Sequence, residues 1–407
     1  MNNPSFLIVG TNFINKGAEA MMKTVSHQVL NKYPNADIHV ICHKEERDVA
    51  TSQGFHPLYI DVHPLSRLIE KVIGKLKQIA GLANKPYADY TPMNQVKAIK
   101  NLKTVIDASG FAYGDKRGYQ QPLESQKIID YCKTIGVPYI IMPQAWGSFK
   151  DPQVAQNVRQ MLESCDRYYT RDDVSRAYVA DLLSKSIEDI PILPDIAFHF
   201  PIPDNDGREL IRGFGFDTSS TDKPILGISP NMRIYERMSG IGVDNEYINT
   251  VIQLIKHYRD QFHIILIPNE IRPGQSGLKD DAYLCQLIYD TLPDKSGLTL
   301  VRGYHTAEEI KAIIREVDIL IASRFHSLIF ALSLGIPSMA ISWSHKYREL
   351  FRIFDLERFV VEDKGLKLEK ATTLFDELWQ NRKDISEQIS NELPKLKARN
   401  AEVFELI

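Results

Sequence analysis

The sequence predicts two doubly wound α/β domains, one after the other along the chain. Three observations predict it. Compact runs of Val, Ile and Leu that do not alternate with polar residues recur from end to end, as strands of a parallel sheet covered on both faces require. Segments with helical periodicity separate those runs. The rhythm also runs twice, and between the two series lies Pro191–Lys223, rich in proline, glycine and small polar residues.

Taken in order, Ser5–Val9 reads as a buried strand, followed by a loop containing Gly10 and a helix through Ala18–Leu30. Ile38–Cys42, Val105–Ala108 and Val137–Met142 are the further strands of the first series. The second series is Ile225–Ser229, His263–Pro268, Leu298–Val301, Ile319–Ala322 and Ser338–Ile341. The expected domains are 1–200 and 222–375, joined by a linker at 201–221. A charged helical segment, 376–407, is expected to pack back across the seam. Ligands of such sheets bind beyond the carboxyl ends of the strands, so the two domains are expected to face a cleft that holds the active site.

Composition narrows the function. With 49 basic and 52 acidic side chains the formal charge is −3, which excludes a protein that coats nucleic acid through a dominant positive field. Hydrophobic residues at 43% and charged ones at 25% exclude a largely disordered chain. None of the four cysteines (Cys42, Cys132, Cys165, Cys285) sits in a C-x-x-C pair, so neither a zinc knuckle nor a redox motif is present, and a reducing compartment is expected. The start, MNNPSFLIVGTNFIN, lacks the basic and long apolar regions of a secretion signal. The apolar runs fall short of the roughly 20 residues that span a bilayer, so a cytoplasmic location is expected. One stretch stands apart. Pro64–Lys85 carries Leu65, Leu68, Ile69, Val72, Ile73, Leu76 and Ile79 on one helical face, with Arg67, Lys71, Lys75 and Lys77 on or near the other. Two readings of 64–85 are open: a surface helix packed on its own domain, or a basic amphipathic helix on an anionic membrane surface, peripheral at the inner face of the cell membrane.

Candidate chemistry concentrates in Asp318–Leu350. A strand ends at Ala322–Ser323, and Arg324, Phe325 and His326 follow where a helix begins. A cation, an imidazole and helix N-terminal amides at one strand end favour an anion. Lys346 arrives just past the next strand. The competing readings are that Arg324 pairs with a nearby carboxylate and that His326 is a satisfied core histidine. Arg233 follows the first strand of the second series, either as an anion ligand or as a solvated loop cation. Arg171 precedes Asp172, Asp173 and Ser175 at a helix start, where an ion pair with those acids is the alternative. The loop from Gly10 to Glu19 is neither a dinucleotide fingerprint nor a Walker loop. Its Asn15 and Glu19, with Asp115 and Gln144 after later strands, form a plausible set for the hydroxyls of a sugar, with plain loop and cap duty as the alternative.

These landmarks resemble the polysaccharide pyruvyl transferase family, whose members resemble two-domain, Rossmann-like glycosyltransferases of the B type. The resemblance rests on Ser323-Arg324-Phe325-His326-Ser327-Leu328 running through Gly335-Ile336-Pro337 to Lys346, on Thr170-Arg171-Asp172 with Ser175, and on Leu193-Pro194-Asp195-Ile196-Ala197-Phe198. The chain departs from the family pattern at Asn15-Lys16-Gly17-Ala18-Glu19, at Ser109-Gly110-Phe111 and at Phe325, where leucine is usual. The resemblance implies phosphoenolpyruvate as co-substrate, no further cofactor or metal, and a cell-surface saccharide or its lipid-linked precursor as acceptor. It assigns the acceptor to the first domain and phosphoenolpyruvate to the second: Arg324, Lys346, Arg233 and Arg171 to the donor, His326 to general acid–base work, and Asn15, Glu19, Asp115 and Gln144 to the acceptor, with Glu19 or Asp115 as the candidate to activate an acceptor hydroxyl. A sugar-nucleotide-dependent glycosyltransferase and a non-catalytic sugar-phosphate-binding protein are the alternatives.

Overall fold

The computed structural model describes residues 3–59, 91–272 and 280–407. Among them the chain builds two parallel, six-stranded sheets with flanking helices. The first contains β1 (Ser5–Val9), β2 (Asp37–Ile41), β3 (His56–Leu58), β4 (Leu102–Asp107), β5 (Tyr139–Gln144) and β6 (Arg167–Thr170), in the order β3-β2-β1-β4-β5-β6. The second contains β7 (Ile225–Ser229), β8 (His263–Leu266), β9 (Leu298–Leu300), β10 (Ile319–Ala322), β11 (Ser338–Ser342) and β12 (Val360–Glu362), in the order β12-β11-β10-β7-β8-β9. In each sheet the first strand of the series lies beside the fourth. The winding reverses there, and loops leaving the two carboxyl ends diverge and open a crevice.

Burial explains why the strand runs do not alternate. Every residue of β1, β5, β7, β8, β10 and β11 is buried, so both faces of these strands are covered and both demand apolar side chains. β3, β6 and β12, short strands that begin or end on exposed residues, escape a reading based on apolar runs.

Two compact units emerge: Met1–Phe13 with Val25–Ile192 and Ile407, and Ile14–Thr24 with Leu193–Leu406. The division differs from the expected one. Residues 193–221, the end of the expected first domain together with the expected linker, belong to the second unit, where the Gly207–Arg212 helix packs on Ala307–Arg315. Arg208 Nε lies 3.0 Å from Glu316, and Arg315 donates to the carbonyls of Pro203 at 3.0 Å and Asn205 at 2.9 Å. Residues 14–24 also belong to the second unit, although the first helix, Lys16–Lys32, continues unbroken into the first. The C-terminal helices Leu368–Gln380, Arg382–Arg399 and Ala401–Glu405 are part of the second unit. There the Tyr258 hydroxyl donates to Asp376 at 2.8 Å and Ser386 Oγ to the Gly335 carbonyl at 2.7 Å. No helix among the described residues is long and apolar enough to cross a membrane. The basic stretch 64–85 lies outside the described residues.

Candidate functional site

In the second sheet, β10 ends at Ala322, and the chain enters the helix Phe325–Ser333 through Ser323 and Arg324. The N-cap residue, Arg324, makes no side-chain cap hydrogen bond. The first turn of a helix carries partial positive charge. Neighbouring strand ends are stitched to this turn. Asn231, after β7, donates its side-chain amide to the Ser323 carbonyl at 2.6 Å, and the Tyr347 hydroxyl, after β11, donates to the same oxygen at 2.7 Å. Asn269, after β8, donates to Ser327 Oγ at 3.0 Å, and that hydroxyl meets Ser229 Oγ at 2.9 Å. All are buried, so the four central strand ends form one hydrogen-bonded platform.

Arg324 takes the ion-pair reading. Its Nη2 lies 2.8 Å from Glu270 Oε2, and its Nε lies 2.6 Å from Asp281 Oδ2. Burial works against the guanidinium charge, but Asp281 and Glu270 outweigh it and push its pKa up. Asp281 is fully buried; desolvation raises its pKa while Arg324 opposes the rise. It also accepts from the backbone amides of Met232 at 3.0 Å and Glu270 at 2.8 Å. The expectation that Arg324 grips a donor phosphate is thus corrected: its cationic edge is already given to two carboxylates, and its work is to lock the loops after β7, β8 and β10.

His326 occupies the first turn of the same helix, with Nε2 3.8 Å from Asp195 Oδ2. Asp195 is buried and uses its other oxygen to accept the Ala197 amide at 2.9 Å. From another side comes Gly17: a Cβ built on it would fall on the imidazole ring. That contact corrects the placement of Asn15 and Glu19, which were expected with the acceptor in the first domain. The segment 14–24 is held in the second unit by hydrogen bonds from Lys16 N to the Asn269 carbonyl at 3.0 Å and from Ile271 N to the Ile14 carbonyl at 2.9 Å. Asn15 Oδ1 accepts the amides of Gly17 at 2.9 Å and Ala18 at 3.2 Å, as a helix cap does. Glu19 is fully buried between Lys16 and Lys23, each 2.8 Å from one of its oxygens. A carboxylate so held does not activate an acceptor hydroxyl. Lys16 in turn lies 4.0 Å from the Tyr304 ring centroid.

Lys346 opens the helix Lys346–Arg352 with its ammonium 5.0 Å from the Phe325 ring centroid, 5.1 Å from Trp343 and 5.6 Å from Tyr347. An aromatic setting stabilises a cation while hydrogen-bonding it weakly. Arg233 is half-exposed and pairs with Glu236 at 2.9 Å. The second unit therefore brings together Arg324, His326, Lys346, Asn15 and Glu19, and places Arg233 after β7.

The remaining candidates belong to the first unit. Arg171 follows β6, is buried, and donates its backbone amide to the Gln144 carbonyl at 3.2 Å. Gln144 is fully buried, and its Oε1 accepts the Ala112 amide at 3.3 Å. Asp115 receives Ser148 Oγ at 2.7 Å and the amides of Lys150 and Asp151 at 2.9 and 3.1 Å. Slight burial opposes them, yet these donors hold its pKa below the ordinary carboxylate value. Asp115 organises its loop, which corrects its expected role as an activator of the acceptor.

Around the site, the sequence reading did not single out Glu270, Asp281, Asn269 or Lys16. Each is a single polar residue at a strand or helix end, and only tertiary contact gives it meaning. Asp195 stood within a recognised motif, but nothing local tied it to His326.

No curated protein sequence matches this chain. Among solved structures, the UDP-GlcNAc 2-epimerase of Neisseria meningitidis bound to UDP-GlcNAc is similar, with 12% identity, TM-score 0.52, and 95% of this chain and 94% of that one covered. The UDP-GlcNAc 2-epimerase of Methanocaldococcus jannaschii gives 12%, 0.53, 92% and 92%. A glycosyltransferase of Rickettsia africae gives 9%, 0.53, 100% and 98%. At such identities the likeness speaks for the fold, the two-domain α/β architecture of B-type glycosyltransferases and these epimerases. Sequence speaks for the family. One family model runs from Asn15, beside the His326 contact, to His345, next to Lys346, and by that match over residues 15–345 the chain belongs to the polysaccharide pyruvyl transferase family.

Proposed function

We propose that this transferase moves the pyruvate unit of phosphoenolpyruvate onto a saccharide of a cell-surface polysaccharide, or onto its lipid-linked precursor, and leaves a pyruvate ketal. The observation that carries the reading is the start of the Phe325–Ser333 helix at the end of β10, with His326 in its first turn and Lys346 beside Phe325. A donor bearing a phosphate and a carboxylate needs convergent amides and cations. Here the phosphate takes the helix start and Lys346. Arg233 is available for the carboxylate, because an exposed pair such as Arg233–Glu236 is worth only about 0–1 kcal/mol and yields to a better anion.

The chemistry follows from the enol ether. His326, protonated, delivers a proton to C3 as a sugar hydroxyl adds to C2 and loses its own proton. The phosphate then leaves with the C2–O electron pair, and a second hydroxyl of the same sugar closes the ketal. Two hydroxyl protons are released; one replaces the proton given to C3 and the other leaves with phosphate or solvent.

The test is a thermal-shift titration with phosphoenolpyruvate beside a panel of nucleotide sugars, on wild type, Lys346→Ala and His326→Ala. A ligand at about 100 times its Kd stabilises the native state by about 2.7 kcal/mol. Phosphoenolpyruvate is expected to raise the melting temperature of wild type and to lose at least tenfold in apparent affinity in Lys346→Ala. Stabilisation by a nucleotide sugar alone would transfer the protein to the glycosyltransferase reading.

A further inference from the structure

We infer that Lys311 is a proton-operated latch on the C-terminal helix Arg382–Arg399: while its amine is neutral the helix stays packed in the second unit, and a proton taken up by the amine loosens it. The geometry around the amine carries the inference, which does not depend on the proposed reaction. Lys311 lies on the helix Ala307–Arg315 and is 1% exposed. Its Nζ donates to the Phe200 carbonyl at 2.6 Å. It also lies 5.4 and 6.0 Å from the ring centroids of Phe200 and Phe330, which stack on each other. An ammonium has three N–H donors, and a buried charge needs a partner of opposite sign. Among the described residues this one finds a single carbonyl and no carboxylate. A neutral amine fits that setting and an ammonium does not.

The C-terminal helix supplies a like charge. Lys397, partly buried, acts on Lys311, and its backbone hydrogen-bonds the imidazole of His199, the residue before Phe200. Phe404 packs edge-on against the same imidazole. The C-terminal helices thus rest on the turn whose end holds the amine. Burial, then Lys397, pushes the Lys311 pKa down from 10.5 to about 7. Carboxylates on the packed elements are engaged elsewhere or exposed. On the same helix as Lys311, Glu308 takes Lys23 and Glu309 accepts the Thr306 amide at 2.8 Å, while Arg315 donates to the Pro203 and Asn205 carbonyls. On Gly207–Arg212, Arg208 pairs with Glu316 and Arg212 with Asp217, and Glu209 is exposed. On Phe325–Ser333 the titratable side chain is His326, one turn before Phe330. Asp195, ahead of the turn Ile196–His199, accepts the Ala197 amide at 2.9 Å. Around Lys397, Lys395 pairs with Glu392, and Arg399, Glu402 and Glu405 are exposed.

Proton counting gives the sign. Opening that frees Lys311 restores its ordinary value of 10.5, so between pH 10.5 and 7 the open form holds a proton that the closed form lacks. The helix is therefore held most firmly at alkaline pH and loosens as pH falls towards 7. His199 stays out of this window, because its ordinary value is 6.5. The experiment is hydrogen–deuterium exchange of the full chain at pH 9, 8 and 7, in wild type, Lys311→Met and Lys397→Gln. It is read by mass spectrometry as protection factors, corrected for the intrinsic pH dependence of exchange. In wild type the protection of residues 382–407 is expected to fall by about tenfold or more from pH 9 to 7. Methionine keeps a similar volume without the charge, so Lys311→Met should show level protection across the window. Lys397→Gln removes the like charge, raises the value at Lys311 and should make the fall smaller. Level protection in wild type, or a wild-type fall in Lys311→Met, would overturn the latch. Should Lys311→Met fail to fold, Lys397→Gln, at a partly exposed position, decides: a fall equal to that of wild type would overturn the repulsion on which the latch depends.

Discussion

Arg324 gives its guanidinium to Asp281 and Glu270 inside the protein rather than to solvent. Removing one member of a buried ion pair leaves the other charges desolvated and uncompensated, at a cost of about 3–5 kcal/mol. Arg324→Ala is therefore expected to lower unfolding stability by that amount, measured by urea denaturation at pH 7. Arg324→Lys keeps the charge but loses the planar fork that reaches both carboxylates, so it should recover only part of the loss. A phosphate ligand predicts the reverse pattern, in which phosphoenolpyruvate affinity collapses and the unfolding curve stays where it was. That pattern would return Arg324 to the donor. The sequence offered both readings of Arg324, and its partners decide between them. Glu270 lies 54 positions away and Asp281 lies 43, so no local spacing marks either as a partner.

The first helix carries the element-scale lesson, because its opening turns and its remainder belong to different units. Helix propensity favours alanine over glycine by about 1 kcal/mol in a helix interior. At Gly17 that preference loses to contact, since a methyl group there would fall on the His326 ring. Gly17→Ala is expected to fold, to displace the imidazole, and to lower kcat by about 100-fold, the scale of loss when a catalytic group is misplaced by about 1 Å. Steady-state rates with phosphoenolpyruvate check it, and a variant with wild-type kcat would refute the close approach. The strands around this helix were legible in sequence: Ile225–Ser229 and Ile319–Ala322 are found with their expected ends, because burial on both faces forces unbroken apolar runs. The affiliation of residues 14–24 was not legible. It depends on backbone hydrogen bonds to Asn269 and Ile271, and backbone groups are the same in every residue type except proline.

At the scale of the molecule, the two sheets repeat one strand order, and the second unit is finished by segments that lie outside its strand series. Two histidines attach them, His263 buried and His199 half-buried. His263, opening β8, stacks on Phe216 of the 201–221 segment with ring centroids 3.3 Å apart, and its Nε2 meets Thr299 Oγ1 at 2.8 Å. His199 packs edge-on against Phe404 of the last helix, with centroids 4.9 Å apart. Burial, then the charges of Lys223 and Lys397 respectively, lowers each imidazole pKa from 6.5 to about 4. The sign follows from proton counting. Between pH 6.5 and 4 the unfolded chain binds these two protons and the folded chain does not, so stability rises with pH across that window and is lost as pH falls through it. After discounting for partial exposure, each histidine is worth about 1 kcal/mol. Carboxylates held low by hydrogen bonds, such as Asp115, act below that window, because their unfolded value is 3.8. Urea denaturation at pH 7.5, 5.5 and 4.5 is expected to show wild type losing about 2 kcal/mol more than a His199→Gln, His263→Gln double variant, whose uncharged amides take up no proton. The variant starts lower, having lost the Phe216 stack, so the diagnostic is the difference in slope and not the height of the curve. Parallel curves would mean that these histidines titrate alike in both states, and the attachment of the flanking segments would then carry no pH dependence of its own.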